Sequence, residues 1–178
     1  MKTRSVAALL SALALVLLAA GGAWAVDYPR VSPKATISQT VGVTDVTIAY
    51  CRPSVRGRAI WGALVPYDQV WRTGANEATT ITFSSDVTIE GQTLTAGTYG
   101  LFTVPGRTEW TIVFNKGAKQ WGAYSYNAAD DVLRIKAKPQ AVAPTELLTF
   151  SFPTVSVASA QVALAWEKVQ VAFTLNVD

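Results

Sequence analysis

Two carboxylates, Asp68 and Glu77, fall in the irregular stretch that follows Cys51. Acids held roughly 5–9 Å apart can hydrolyse a glycosidic bond, one as the acid and the other as nucleophile or base. The same stretch holds Ser54, which would need a neighbouring base of lowered pKa to act as a nucleophile. Cys51 is the one thiol of the chain. It follows the strand-like Thr47-Ile48-Ala49-Tyr50, where a cysteine reads as a small buried hydrophobe. The 178 residues contain no histidine, which excludes a histidine triad, a histidine general base and the commonest metal ligand. One thiol cannot build a zinc site. Asp130-Asp131, without a D-x-D-x-D-G run, is a poor calcium loop. This inventory points to no catalytic residue, no metal and no cofactor. The alternative is a hydrolase of envelope or glycan material using Glu77 and Asp68.

Binding chemistry is better supplied. VWRTGANE, Val70 to Glu77, sets Trp71, Arg72, Asn76 and Glu77 close together, with Tyr67 just before and Arg52 and Arg58 upstream. Aromatic faces can stack on a ligand while guanidinium, amide and carboxylate fix its orientation. The partner would be a small molecule, a glycan or an envelope protein. A structural reading competes with this one. Arg72 and Glu77 would pair with each other or with backbone carbonyls, and Asn76 would cap a turn. By residue type Glu77 leans to the structural reading, whereas Arg72 stays open.

The elements that must hold these residues are strands. Period-two alternation recurs at Ala35–Val41, Val46–Tyr50, Thr79–Phe83, Thr98–Val104, Trp110–Phe114 and Val132–Ala137. Glu90-Gly91 and Pro105-Gly106 read as turns. Leu148–Phe152, Ala160–Trp166 and Val169–Leu175 complete the pattern, with Glu167-Lys168 expected to turn a last hairpin. About nine or ten short strands without a βαβ rhythm predict an all-β fold, an antiparallel, jelly-roll-like β-sandwich of one domain over residues 26–178. One connection does not fit. About 28 residues separate Tyr50 from the strand near Thr79, and loops beyond about 12–15 residues tend to be functional or disordered. Ile60, Trp61, Leu64, Val65, Val70 and Trp71 are too apolar for disorder, so the loop is expected to pack onto the sandwich. Ile60–Val65 can form one short turn. Gly57, Gly62 and Gly74 let the loop bend tightly.

Residues 1–25 read as a signal peptide. Lys2 and Arg4 precede the apolar run Val6–Ala20, and Ala23-Trp24-Ala25 supplies the small-residue cleavage pattern. The run is short for a bilayer span, and no second one follows it. The chain is therefore expected in the periplasm or outside the cell, with no transmembrane segment after cleavage. The 15 Lys+Arg and 12 Asp+Glu become 13 and 12 once Lys2 and Arg4 are removed, a net charge of +1. Nothing in that balance, or in the scatter of the basic residues, marks a nucleic-acid partner.

RPSVRGRAIWGALVPYDQVWRTGANEATTITFSSDV, LTAGTYGLFTVPGRTEWTIVFNK, QWGAYSYN and DVLRIKAKP occur in that order along the chain. Together they resemble domain of unknown function family 2911, a family of exported bacterial proteins, over about Ser32 to Phe152. The resemblance implies a β-sandwich and export. It implies no activity and carries no catalytic residues over. It would place serine more often at Cys51, which argues against thiol chemistry.

Overall fold

The computed structural model describes residues 29–177; the expected signal segment, 1–25, lies outside them. Of the ten strands most alternate inward and outward side chains, as the period-two pattern requires, whereas Gly97–Val104 and Trp110–Asn115 are buried on both faces, with Phe102 and Val113 packing against Ala78 in a small second cluster. β1 (Lys34–Val41) and β2 (Thr44–Cys51) are joined through Gly42, whose φ of 59° is the left-handed conformation the tight turn needs. β3 (Thr80–Phe83) is followed by the hairpin of β4 (Val87–Ile89) and β5 (Gln92–Leu94), turned by Glu90 and Gly91, both at positive φ. β6 (Gly97–Val104), β7 (Trp110–Asn115) and β8 (Asp131–Ala137) form a meander. The long β9 (Gln140–Val155) and β10 (Ser159–Asn176) close the chain.

These strands form two antiparallel sheets. The six-stranded sheet has the order β1-β2-β3-β6-β7-β8, and the four-stranded sheet has the order β5-β4-β10-β9. Val46, Ile48 and Ile81 of one inner face, with Phe83 and Phe114, meet Leu148, Phe150, Val162, Leu164 and Phe173 of the other in a single core. Register follows from burial: a one-residue slip would carry Ile48, Ile81 and Phe83 into water. Among the described residues the only helix is the 3-10 turn Ala128–Asp130, and no helix is long and apolar enough to cross a membrane.

The expected last hairpin is absent. Glu167 takes a φ of 57° and the register shifts on either side of it, but the chain does not reverse. β10 runs on, and both of its halves pair with β9, Leu164 with Phe150 and Val169 with Ala141. On each side of Glu167 two steps along β10 stand opposite four along β9, from Thr149 to Thr145 and from Thr145 to Ala141, so the extra residues are bulged out of β9 and β10 continues unbroken.

The loop 52–79 packs onto one end of the sandwich and is tied to it by backbone bonds at several places. Val55 N donates to Glu146 O and Leu148 N to Pro53 O, each within 3.0 Å, at β9. Trp71 and Thr103 exchange both backbone bonds, at 2.7 and 2.9 Å, at β6. Ala78 N donates to Gln120 O and Gly122 N to Asn76 O, joining the loop to the segment after β7. Ile60–Val65 makes the single expected turn, with Val65 N donating to Ile60 O at 2.9 Å. Trp71 and Trp166 stack with centroids 5.8 Å apart, and Trp61 meets Trp71, Trp110 and Trp166 edge-on. Burying a large apolar side chain contributes about 1.5–3 kcal/mol, so this cluster adds to the backbone bonds in holding the loop.

Candidate functional site

A cleft of about 340 Å³ opens where the loop meets the sandwich. Trp71 and Trp166 are both buried and line it, so the tryptophan cluster provides its floor. Leu64, Val65, Pro66 and Val70 from the loop's middle, with Val31 and Ser32 from the N-terminal lead, add an apolar wall. The charged lining is entirely basic: Arg56, Arg58 and Arg72, with no Asp or Glu among the lining residues.

The three arginines are held differently. Arg58 Nε donates to Val55 O at 3.1 Å and its Nη2 to Ser54 O, which anchor the guanidinium on its own loop. Arg56 is exposed at a φ of 50°, and its backbone N–H donates to Glu146 Oε1 at 2.9 Å. Arg72 is partly buried, and its Nε is a buried donor with no acceptor among the described residues. Arg72 takes part in none of the four ion pairs of the described residues. Burial pushes its guanidinium below the ordinary value, yet an arginine stays charged at neutral pH. The cleft therefore holds a partly dehydrated cation without a counter-charge among the described residues.

Arg52 lies apart from this group. Its Nε donates to Leu148 O at 2.9 Å and its Nη2 to Thr149 Oγ1 at 2.7 Å, fastening the start of the loop to β9. Tyr67 does not line the cleft; its ring lies 4.6 Å from the Arg107 guanidinium carbon. Asn76, at a φ of 58°, does not cap its own turn but donates from Nδ2 to Ser32 O at 3.3 Å. Glu77 pairs with neither Arg72 nor a loop carbonyl. Arg30 Nη1 reaches its two oxygens at 2.8 and 2.7 Å, and Lys34 Nζ lies at 3.1 Å. Cys51 Sγ donates to the same carboxylate at 3.5 Å. Hydrogen bonding from Arg30 is the main cause that holds Glu77 down at about 2, against an opposing push from burial.

Asp68 and Glu77 are not brought together. Asp68 donates its backbone N–H to Pro105 O beside the β6–β7 turn, and Glu77 bridges to Trp121. Neither the arginine cleft nor the hollow that Glu77 lines includes Asp68. Among the described residues no group of three or more His, Cys, Asp or Glu converges in a way that could hold a metal ion.

Of the residues that type and spacing single out in the sequence, Trp71, Arg72 and Arg58 meet in the cleft. Trp166 and Val31 escape sequence reading because they come from opposite ends of the chain. Arg56 carries the residue type but no spacing signal that would separate it from Arg52.

No curated protein and no solved structure matches this chain. Residues 32–175 match a family described as "Protein of unknown function (DUF2911)". That span takes in every strand from β1 through most of β10, together with the loop and all three arginines of the cleft. The match covers the fold and the cleft's lining apart from Val31, and the chain belongs to the DUF2911 family.

Proposed function

We propose that this protein is an exported, non-catalytic binding module that takes a small anionic ligand in the arginine cleft. The ligand would carry a carboxylate or phosphate group on a partly apolar body, as an acidic envelope component or metabolite does. Arg72 is the observation that carries the reading. A buried donor on a cation costs free energy while it lacks an acceptor, and an incoming oxyanion would supply both acceptor and counter-charge. Arg56 and Arg58 add charge at the same cleft, and guanidinium groups match the planar geometry of carboxylate and phosphate oxygens. The apolar wall and the tryptophan floor would shield that contact from water, which strengthens it.

The test is a melting-temperature screen against carboxylates and phosphate esters, run on wild type and Arg72→Met. Methionine keeps length and packing while removing the charge. At least one anion is expected to raise the wild-type Tm by several degrees, as ligand at 100 times Kd adds about 2.7 kcal/mol. Arg72→Met should lose that rise. Its ligand-free form should melt at or above wild type, since replacing an unpaired, partly buried charge by an apolar side chain is neutral or stabilising. An Arg72→Met protein that is markedly less stable without ligand would show that Arg72 is structural and sink the reading.

A further inference from the structure

A second hollow, of about 510 Å³, opens on the outer side of the six-stranded sheet and shares no lining residue with the arginine cleft. The space exists because small side chains stand where larger ones would fill it. Ala49 lies between Thr36 and Thr80 in the sheet register, and Ala78 and Ala118 flank it in the wall.

The polar groups of this hollow are of both kinds. Gln120 Nε2 donates to Gly117 O at 2.7 Å, which sets the amide's orientation. Its Oε1 is left buried, with no donor among the described residues. The Glu77 carboxylate adds a second acceptor, already shared with Arg30 and Lys34. Lys119 is exposed and supplies an ammonium donor, and Thr36 and Thr80 bring hydroxyls. A carboxylate or phosphate entering here would meet Glu77, and a cation would meet Lys34 and Lys119. A hydroxyl both donates and accepts, so it satisfies either kind of group.

We propose that this hollow binds a neutral sugar ring, with ring hydroxyls accepting from Lys119 and donating to Glu77 and, as the Gln120 side chain turns out of its buried position, to Gln120 Oε1. The experiment titrates glucose, galactose, N-acetylglucosamine, maltose and cellobiose into the chain lacking residues 1–25, followed by calorimetry and saturation-transfer NMR. At least one is expected to bind with a Kd of a millimolar or below. Gln120→Leu should weaken it at least tenfold, Ala49→Phe should abolish it, and Arg72→Met should leave it unchanged. Gln120→Leu alters one loop side chain, so the test stands even if Ala49→Phe does not fold. The proposal is overturned if no sugar binds at millimolar concentration, or if Gln120→Leu binds as wild type does. Glucuronate binding more than tenfold tighter than glucose would overturn it as well, because the hollow would then be reading an anion. So would sedimentation showing that a second copy of the chain covers the hollow.

Discussion

Arg72 and Glu77 sit on one loop, carry opposite charges and do not meet. Glu77 is satisfied by Arg30 from the N-terminal lead and Lys34 at the start of β1, whereas Arg72 Nε is left without an acceptor among the described residues. Residue types made pairing between the two the economical expectation, and only the path of the lead shows why it fails. The Glu77 cluster carries a pH prediction. Its folded value, about 2, lies below the ordinary 4.5, so the folded state holds this proton less tightly than the unfolded one. The stabilisation is therefore complete above about 4.5 and drains away as pH falls through about 2. Urea melts of wild type and Glu77→Gln should differ by a constant amount at pH 5–7 and converge towards pH 2. The gap should be modest, because the side chain is a third exposed and the ion pairs are screened by solvent. A gap that persists unchanged at pH 2 would assign the effect to packing instead.

At the scale of elements the loop 52–79 behaves as part of the sandwich. Its packing was legible from Ile60, Trp61, Val65 and Trp71, whose apolar surface could not remain in water. Its backbone anchor points were not, because backbone bonding between an irregular segment and distant strands leaves no periodic trace. Amides of Trp71, Ala78 and Thr79, which donate to Thr103, Gln120 and Arg72, should exchange as slowly as those of β6. Exchange at the rate of open peptide would show the loop undocked. Gly74 is a second probe. A Cβ there would lie 3.0 Å from Cys51 O and 3.0 Å from Thr79 Oγ1, so Gly74 is required by close approach and not by a left-handed φ. Gly74→Ala is expected to cost about 1–3 kcal/mol, lowering Tm by several degrees in thermal melts. The register shifts around Glu167 belong to the same scale. Two residues between two strand-like runs resemble a hairpin turn in sequence, but continued pairing with β9 keeps the chain extended.

Across the whole molecule the tryptophan cluster joins what the topology separates. Trp61 and Trp71 come from the loop, Trp110 from β7 and Trp166 from β10. Trp166 stacks on Trp71 from the opposite sheet, and its Nε1 donates to Glu146 O at 3.3 Å. Trp166→Ala should therefore cost about 3–5 kcal/mol, by lost transfer and the cavity left behind, and should loosen the arginine cleft whose floor it forms. Chemical denaturation followed by fluorescence and by circular dichroism should give one coincident transition in wild type. A separate early fluorescence change would mean that the loop unfolds independently of the sheets.

By itself the sequence determined the class of the fold. Alternation with period two, turn residues between the runs and the absence of long helical periodicity leave antiparallel sheets as the way to bury Ile48, Ile81, Phe83 and Phe114. It also determined that the long connection packs. Tertiary structure alone decided which polar groups find partners. Arg52 and Arg72 are the same residue type on the same loop, yet one is fastened to β9 and the other opens into a cleft. Local pattern encodes which face of an element is apolar. The meeting of Arg30 with Glu77, or of Trp166 with Trp71, depends on contacts between segments far apart in the chain, and these arise only when the two sheets close on each other.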